Sequence, residues 1–452
     1  MSSLAIAGYE IRRLLRDRAL AGLLLLLAAL SAYAAWNGSE WVAQRMTAIG
    51  LLTAEEQQMI TRARTFVGKA PSVLPRAQPV LPPGTMAAVS IGQADAYPFT
   101  ADIVALGDAS MLFKRVWTDI GSPTARAAGR FDLAFVIVFL LPLVVLAVSY
   151  DLWSRERERG VAAMVLSQPV AVDWLIVIKA LARGLVVLLP SAVILTTAAA
   201  WAGVRDPAGL TCLALIVLAY GSFWLAVAVM IGLRARRSTE AAIAAGAAWL
   251  LLVVIAPSLA LAGIDLLAPP PSEVRFDTDV KALMVQVTER QRLHHAANPK
   301  AVRDPAPAIP DSMRDSYADL VAADRQLAPM LVDHKRRRDA RRHMMDKVRF
   351  LLPSVTVQDA LDRLAGSDAA RALAFQDQVT TFWLQRRLLH QTYLERDAIQ
   401  TLAEYDSLPR FAFKDTDGAF QTGVVADLAA LIVAAGLLLI AAWAIRGQAQ
   451  TP

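Results

Sequence analysis

The sequence predicts an all-α membrane protein: six transmembrane helices, an N-terminal interfacial helix and a mostly helical extracytoplasmic domain. Three observations carry that expectation. Six runs of about 20 residues are almost free of charge, the length needed to cross a bilayer as a helix. Of the 452 residues, 56% are hydrophobic and 19% charged, with a mean hydropathy of +0.42. Soluble domains carry roughly 25% charged residues. Two long polar blocks separate the apolar runs unevenly, one after the first run and one before the last.

In chain order, the first span is Leu20 to Trp36, a Leu/Ala run without charge. Phe131 to Tyr150 carries one acid, Asp132, at its edge. Trp174 to Trp201 holds Lys179 and Arg183 in its first turns, where long cationic side chains are expected to snorkel to the surface. Leu210 to Leu233 is uncharged, and Ala241 to Ile264 follows a helix-start signal at Ser238-Thr239-Glu240. Thr422 to Ile445 contains Asp427 about one turn from its end. Acids inside a bilayer are costly and often functional, so Asp427 is the candidate intramembrane functional residue, the bland alternative being that it reaches the outer interface. Pro142, Pro190 and Pro257 stand where they can kink three spans and free backbone carbonyls.

The short connections set the orientation. Arg12, Arg13, Arg16 and Arg18 precede the first span. Arg155, Arg157 and Arg159 follow the second, Arg234, Arg236 and Arg237 follow the fourth, and Arg446 lies in the tail. With six spans all of these fall on one side, which the positive-inside rule makes the cytoplasm. Both termini are then cytoplasmic and both polar blocks outside. The net charge of +6 is thereby a topology signal rather than a nucleic-acid one, because the outside blocks balance. A signal-peptide reading, with Ala32-Tyr33-Ala34 as cleavage site, would leave five spans and put the new N-terminus opposite the Arg446 tail; a retained first span agrees with every short loop. Arg12-Arg13 is a weak twin-arginine match.

The resulting division is 1–36 (interfacial helix and first span), 37–130 (first extracytoplasmic region), 131–264 (spans two to five, with a cytoplasmic loop at 151–173), 265–421 (helical extracytoplasmic domain) and 422–452 (sixth span and tail). Residues 4–18 put Leu4, Ala7, Ile11, Leu14 and Leu15 on one helical face, with Glu10, Arg13, Arg16 and Asp17 elsewhere, the pattern of a helix lying on the membrane surface. In the first polar block Thr53 to Val67 reads as helix, followed by a proline-marked extended stretch from Pro71 to Pro83. In the second, Asp311 to Phe350, Val355 to Leu364 and Ala369 to Leu402 read as helices, with proline-rich connectors at Asp265 to Arg275 and Ala296 to Pro310.

Other chemistries find little support. One cysteine, Cys212, excludes an intrachain disulfide. His343-Met344-Met345 and His294-His295 contain copper-type ligands, but their spacing repeats no convincing site. The basic run Lys335-Arg336-Arg337-Arg338 with Arg341 and Arg342 reads first as a solvated helix face paired with Asp333, Asp339 and Asp346, and second as a surface for an acidic partner or lipid headgroups. Nucleic acid does not fit outside the membrane. No HExxH or GxSxG pattern supports a membrane-embedded enzyme. Gly68-Lys69 lacks the glycine a P-loop requires, so the chain does not hydrolyse ATP by that route.

The connection after the second span is distinctive. Ser154-Arg155-Glu156-Arg157-Glu158-Arg159-Gly160 leads into Val161-Ala162-Ala163-Met164-Val165-Leu166-Ser167-Gln168-Pro169-Val170. A charged lead enters a short amphipathic helix stopped by proline. Such a loop has no core of its own, so its apolar face must rest on a membrane surface or a partner protein. This pattern and the six-span order resemble the ABC-2-type permeases of ATP-binding-cassette transporters. In that family the matching loop forms the coupling helix that docks on the ATPase. The resemblance implies that role for Glu156, Arg157, Glu158, Gly160, Leu166, Gln168, Pro169 and Val170, with Val161 where the family usually has Thr. It further implies a non-catalytic subunit of the bacterial inner membrane, with no cofactor in this chain and with ATP and Mg bound by a separate ABC ATPase. A second permease copy or a homologous one, membrane lipids and a periplasmic protein are the other expected partners. Leu352-Pro353-Ser354, Ala360-Leu361, Leu364-Ala365-Gly366-Ser367-Asp368, Phe375-Gln376-Asp377-Gln378-Val379 and Tyr405-Asp406-Ser407-Leu408-Pro409 resemble a subfamily with a large insertion between the fifth and sixth spans. A permease assisting copper-site assembly in a periplasmic reductase is a more distant likeness. The expected function is to couple ATP hydrolysis in the partner to export or to movement of the outside domain. The alternative is a mechanical transmitter acting on a periplasmic protein without moving a solute.

Overall fold

The computed structural model describes residues 3–69, 74–104, 107, 109–113, 130–160, 172–298, 308–396, 400–415 and 419–444. Helix α1 is Ser3–Leu15. A sharp turn follows, and Asp17 starts α2 by accepting a hydrogen bond from the Ala19 N–H at 2.9 Å. Helix α2 runs unbroken over Arg18–Arg64. At 1.5 Å per residue it is about 70 Å long, more than twice the apolar thickness of a bilayer. The first span and the helix expected at Thr53 to Val67 are therefore one rod: no proline interrupts residues 37–52, and the Asn37-Gly38 pair, a common turn signal, stays helical.

The second span, α3, begins at Leu133–Phe135, passes through a π-helical turn at Val136–Leu140 and finishes at Leu141–Ser149; α4 is Ser154–Glu158. The third and fourth spans are α5 (Val172–Trp201) and α6 (Pro207–Arg234). The fifth, α7, combines Ser238–Trp249, a π-turn at Leu250–Ile255 and Ala256–Leu267. On the domain side follow α8 (Glu273–Ala297), α9 (Asp311–Val348), α10 (Pro353–Ala365), α11 (Ala369–Arg396) and α12 (Leu402–Asp406). The sixth span, α13, is Ala419–Ala444. Among the described residues, six helices are thus long and apolar enough to cross a membrane. The described residues form no strand, only isolated antiparallel bridges at Ala77–Ile103 and Val80–Thr100.

Both π-turns have the same cause. Proline supplies no N–H and crowds the carbonyl four residues back. One residue before Pro142 and before Pro257 the ladder widens, so that Leu141 N–H donates to Val136 O and Ala256 N–H to Leu251 O. Each leaves a carbonyl that a hydroxyl then satisfies. Tyr220 Oη of α6 donates to Val138 O at 3.1 Å, and Ser354 Oγ of α10 donates to Leu252 O at 2.9 Å. Pro190 lies inside α5, which continues through it.

Helix α6 is the centre of the span bundle, packed by α5, α3 and α13. Its Tyr220 and Trp224 are fully buried and meet edge to face, centroids 6.2 Å apart. Helix α10 belongs to this core although it lies in a polar block. Val357, Ala360, Leu361 and Leu364 pack in one cluster with Leu133, Ile137 and Leu431 of the spans. A second core joins the two polar blocks: Ala77, Ala101 and Ile103 of the first pack on Phe375, Val379, Phe382 and Trp383 of α11. The far end of α2 docks on this unit through Arg64 and Asp406, 2.8 Å apart, and through Tyr405 Oη, which donates to Ile60 O at 2.8 Å. Just above the first span, Gly38 lets α2 approach Ala88; a Cβ there would overlap the Ala88 carbonyl oxygen.

Candidate functional site: ionic clusters at the two ends of the span bundle

On the side of the short connections, a buried ionic cluster gathers α1, α4, α5 and the end of α3. Lys179 and Arg183 were expected to snorkel to the surface. Both are instead buried, 6% and 7% exposed. Arg183 Nη1 donates to Asp151 Oδ1 at 2.8 Å and to Val148 O at 2.7 Å, and Lys179 pairs with Glu156. Asp151 also pairs with Arg155 at 2.9 Å. Counter-charges from neighbouring helices stand where water would otherwise be sought, so closing the pairs inside wins over reaching the surface.

Helix α1 takes part. Glu10, assigned by the pattern to its polar face, is 4% exposed and lies 4.0 Å from Arg183 Nη2. The face turned to α5 is Ile6, Glu10 and Leu14, at i, i+4 and i+8. Leu15 and Tyr9 remain exposed.

The charged lead into the connecting loop is tied down within the chain. Arg157 Nη1 donates to the carbonyls of Leu233 and Ala235, at 3.2 and 3.4 Å, capping the end of α6. Glu158 accepts the Ser238 N–H at 3.1 Å and the Ser238 hydroxyl, at the start of α7. Glu240 holds the N–H groups of Arg236 and Arg237, at 3.1 and 3.4 Å. Ser238 is therefore the first helical residue of α7 and not its cap. Gly160 ends the lead with φ +70, a left-handed conformation suited to glycine. Thus Glu156 faces α5, Arg157 faces α6 and Glu158 faces α7. Leu166, Gln168, Pro169 and Val170, the remainder of the loop assignment, lie outside the described residues.

The second cluster lies at the opposite, domain end. The Asp427 side chain is 0% exposed. Arg363 of α10 meets it at 3.0 Å and Arg349, at the end of α9, at 3.2 Å. Asp359 completes the group, 2.9 Å from Arg363 and paired also with Arg349. Asp427 thus faces inward to the domain, rather than outward to the interface. Sequence spacing could not name Arg349 and Arg363 as its partners, because they lie 78 and 64 residues away.

A third polar group supports α10 from the other flank. Asp362 Oδ1 accepts from Ser90 Oγ at 2.6 Å and from Gln358 Nε2 at 2.8 Å. Burial pushes its carboxyl up to about 7, with the nearby Asp132 adding to the rise. Asp132 N-caps α3, accepting from Phe135 N–H and Ile91 N–H, both at 2.9 Å. Gly92, at φ +46, makes room for this group; a Cβ there would overlap the Asp362 carboxyl. One helix of the domain is therefore held by spans two, five and six.

The histidine pairs are engaged locally. His295 Nε2 lies 2.8 Å from Asp319, and His334 stacks on Phe276 with centroids 4.2 Å apart. Among the described residues no three His, Cys, Asp or Glu side chains gather as metal ligands would.

Comparison with known proteins agrees with this architecture. Curated proteins return no match. A family model described as "ABC-2 family transporter protein" matches residues 4–444, from α1 through the sixth span. With six spans and a match over nearly its full length, the chain belongs to the ABC-2 family of transporter proteins.

Proposed function

We propose that this permease subunit couples ATP hydrolysis by a separate ABC ATPase to export or to movement of its domain, through the loop that begins at Glu156. The family implies the ATPase partner. One observation carries the coupling: Glu156, Arg157 and Glu158 reach α5, α6 and the start of α7 respectively. A push on the loop at 151–173 is thereby shared among three spans. Helix α10, tied to spans two, five and six, passes the rearrangement to the domain. In this reading the loop side is the cytoplasm of a bacterial inner membrane, both termini lie there, and the domains are periplasmic. Two permease copies, or two homologues, stand over two ATPases, which bind the ATP and Mg. Glu156 to Gly160 set the loop's base, and Leu166, Gln168 and Pro169 dock on the ATPase. The 265–421 insertion supports the subfamily resemblance.

The second reading is mechanical transmission to a periplasmic protein without solute movement. The unbroken Arg18–Arg64 rod favours it. A rigid helix from the loop side to Asp406 delivers displacement to the far end of the domain. Proteoliposomes holding the purified permease and ATPase separate the two. ATP-dependent solute movement supports export and ends the transmitter reading; ATP turnover with domain motion and no flux does the reverse. Loss of neither assembly nor ATPase stimulation on changing both Glu158 and Leu166 would remove the loop assignment.

A further inference from the structure

We propose that Arg159, Arg236 and Arg237, at the base of the connecting loop, form a second contact with the ABC ATPase, one that takes an acidic patch on that partner. The inference rests on the coupling role proposed above for the loop. It adds the connection between α6 and α7 to the docking surface and states the chemistry of the partner's side.

Two distant segments meet here. Arg157 Nη1 bonds the carbonyls of Leu233 and Ala235, and Glu158 holds Ser238. These contacts set the end of α4 against the short connection between α6 and α7. Arg236 is near enough to Arg157 for their charges to interact, as are Arg159 and Arg237 to Glu158. The cations thus converge on one junction, although Arg159 and Arg236 are 77 residues apart in the chain. Over 157–160 and 234–240, five Arg stand against two Glu. The positive-inside rule accounts for the sign of this charge but not for its convergence.

Both acids are already engaged within the chain. Glu158 accepts from the Ser238 N–H and hydroxyl, and Glu240 from the N–H groups of Arg236 and Arg237. Arg159, Arg236 and Arg237 are exposed, and none of them has a carboxylate within ion-pair distance among the described residues. The sequence from Val161 to Val172 carries no charged side chain, so this part of the loop brings them no acid. An apolar segment flanked by exposed guanidiniums fits a partner whose apolar slot has carboxylates on its rim, each matched to a guanidinium fork.

Position favours a protein over lipid. Leu233 and Ala235, which adjoin the cations in the chain, are buried, as is Trp153 at the start of α4. Helix α6 is the centre of the span bundle, packed by α5, α3 and α13. Headgroups ring such a bundle; the arginines at the end of its central helix lie beneath it, within reach of a subunit docked on the loop.

The test uses the full-length chain in nanodiscs of phosphatidylcholine alone, which removes anionic lipid. The probe is the purified ATPase whose turnover the wild-type chain stimulates, and its binding is followed by surface plasmon resonance. Arg159→Gln, Arg236→Gln and Arg237→Gln together should weaken binding about ten-fold, chiefly through slower association. Arg159→Lys, Arg236→Lys and Arg237→Lys together should keep most of the affinity. Unchanged affinity in the folded triple Gln variant overturns the proposal. Leu166→Ser separates this outcome from failure of the loop assignment. Weak binding by Leu166→Ser beside normal binding by the triple Gln variant overturns the second contact alone; normal binding by both overturns the loop assignment with it. In nanodiscs containing phosphatidylglycerol, a triple Gln variant that binds the ATPase normally but retains less of that lipid assigns the arginines to headgroups and also overturns the proposal. Should the variant misfold, the wild type decides: its affinity must fall between roughly 50 and 500 mM salt, and a constant affinity overturns the idea.

Discussion

Asp427, buried in the sixth span, accepts a hydrogen bond from Arg363 of the domain helix α10 at 3.0 Å. The pair joins membrane and domain directly, and Arg349 and Asp359 close the charges around it. Removing one member leaves a buried arginine under-compensated, which costs about 3–5 kcal/mol when such pairs are broken. Asp427→Asn should lower the thermal midpoint of the purified chain. Asp427→Asn combined with Arg363→Gln should lose less than the sum of the two single changes. Additive losses in that double-mutant cycle would mean that the two residues act independently.

Arg183 serves Asp151 and the Val148 carbonyl together. A planar guanidinium reaches both; an ammonium is a point charge. Arg183→Lys is therefore expected to weaken the docking of α1 and Arg183→Gln to abolish it. Limited proteolysis between α1 and α2 is the readout. Equal cleavage of the wild type and both variants would dismiss this role.

Glu158 is exposed, so its replacement should barely alter stability, while its contact with Ser238 joins the loop to α7. Glu158→Ala should still assemble with the ATPase yet lose most stimulation of ATP turnover. Normal stimulation in the assembled complex would show that the contact transmits nothing.

Asp362 has a folded-state carboxyl raised to about 7 against an unfolded value near 4. Between those values the folded chain keeps a proton that the unfolded chain has lost. Stability from this group is thus full below about pH 4 and falls by on the order of 1.4 kcal/mol per unit as pH rises toward 7. Asn can accept from Ser90 and Gln358 as Asp does, without a charge. Asp362→Asn should raise the thermal midpoint at pH 8 and change it little at pH 4. A destabilised variant at pH 8 contradicts the assignment.

Tyr220 and Ser354 each satisfy a carbonyl freed at a π-turn. Tyr220→Phe and Ser354→Ala should each cost about 1–3 kcal/mol by leaving a buried acceptor without a donor. Denaturation of the reconstituted chain measures both; losses near zero would mean the turns find other donors.

Much of the fold was legible in the sequence. Each of the six apolar runs falls on one of the six long apolar helices among the described residues, the first of which continues 28 residues past Trp36, because a bilayer tests hydrophobicity over a local window of about 20 residues. The starts of α9 and α11 likewise follow from local pattern, as does α10, stopped by Gly366 at φ +68. The stretches at Leu352-Pro353-Ser354 and Phe375 to Val379 also acquire reasons: Ser354 bonds α7, and Gln378 donates to Lys414 O at 2.7 Å and accepts its N–H at 3.0 Å. The first helix misled the pattern in one respect, since Glu10 sits among apolar neighbours only because Arg183 waits across the interface.

The sequence alone determined the span order, the asymmetry of the short-loop charges and the mostly helical character of the second polar block. Each depends on a residue and its near neighbours. Tertiary structure decided where the charges go. It turned Lys179 and Arg183 inward, gave Asp427 its two arginines, seated α10 among the spans, and paired Arg341 of α9 with Asp265 of α7. The physical reason is common to all four: a charge leaves water only where an opposite charge meets it, and that partner comes from a helix distant in sequence.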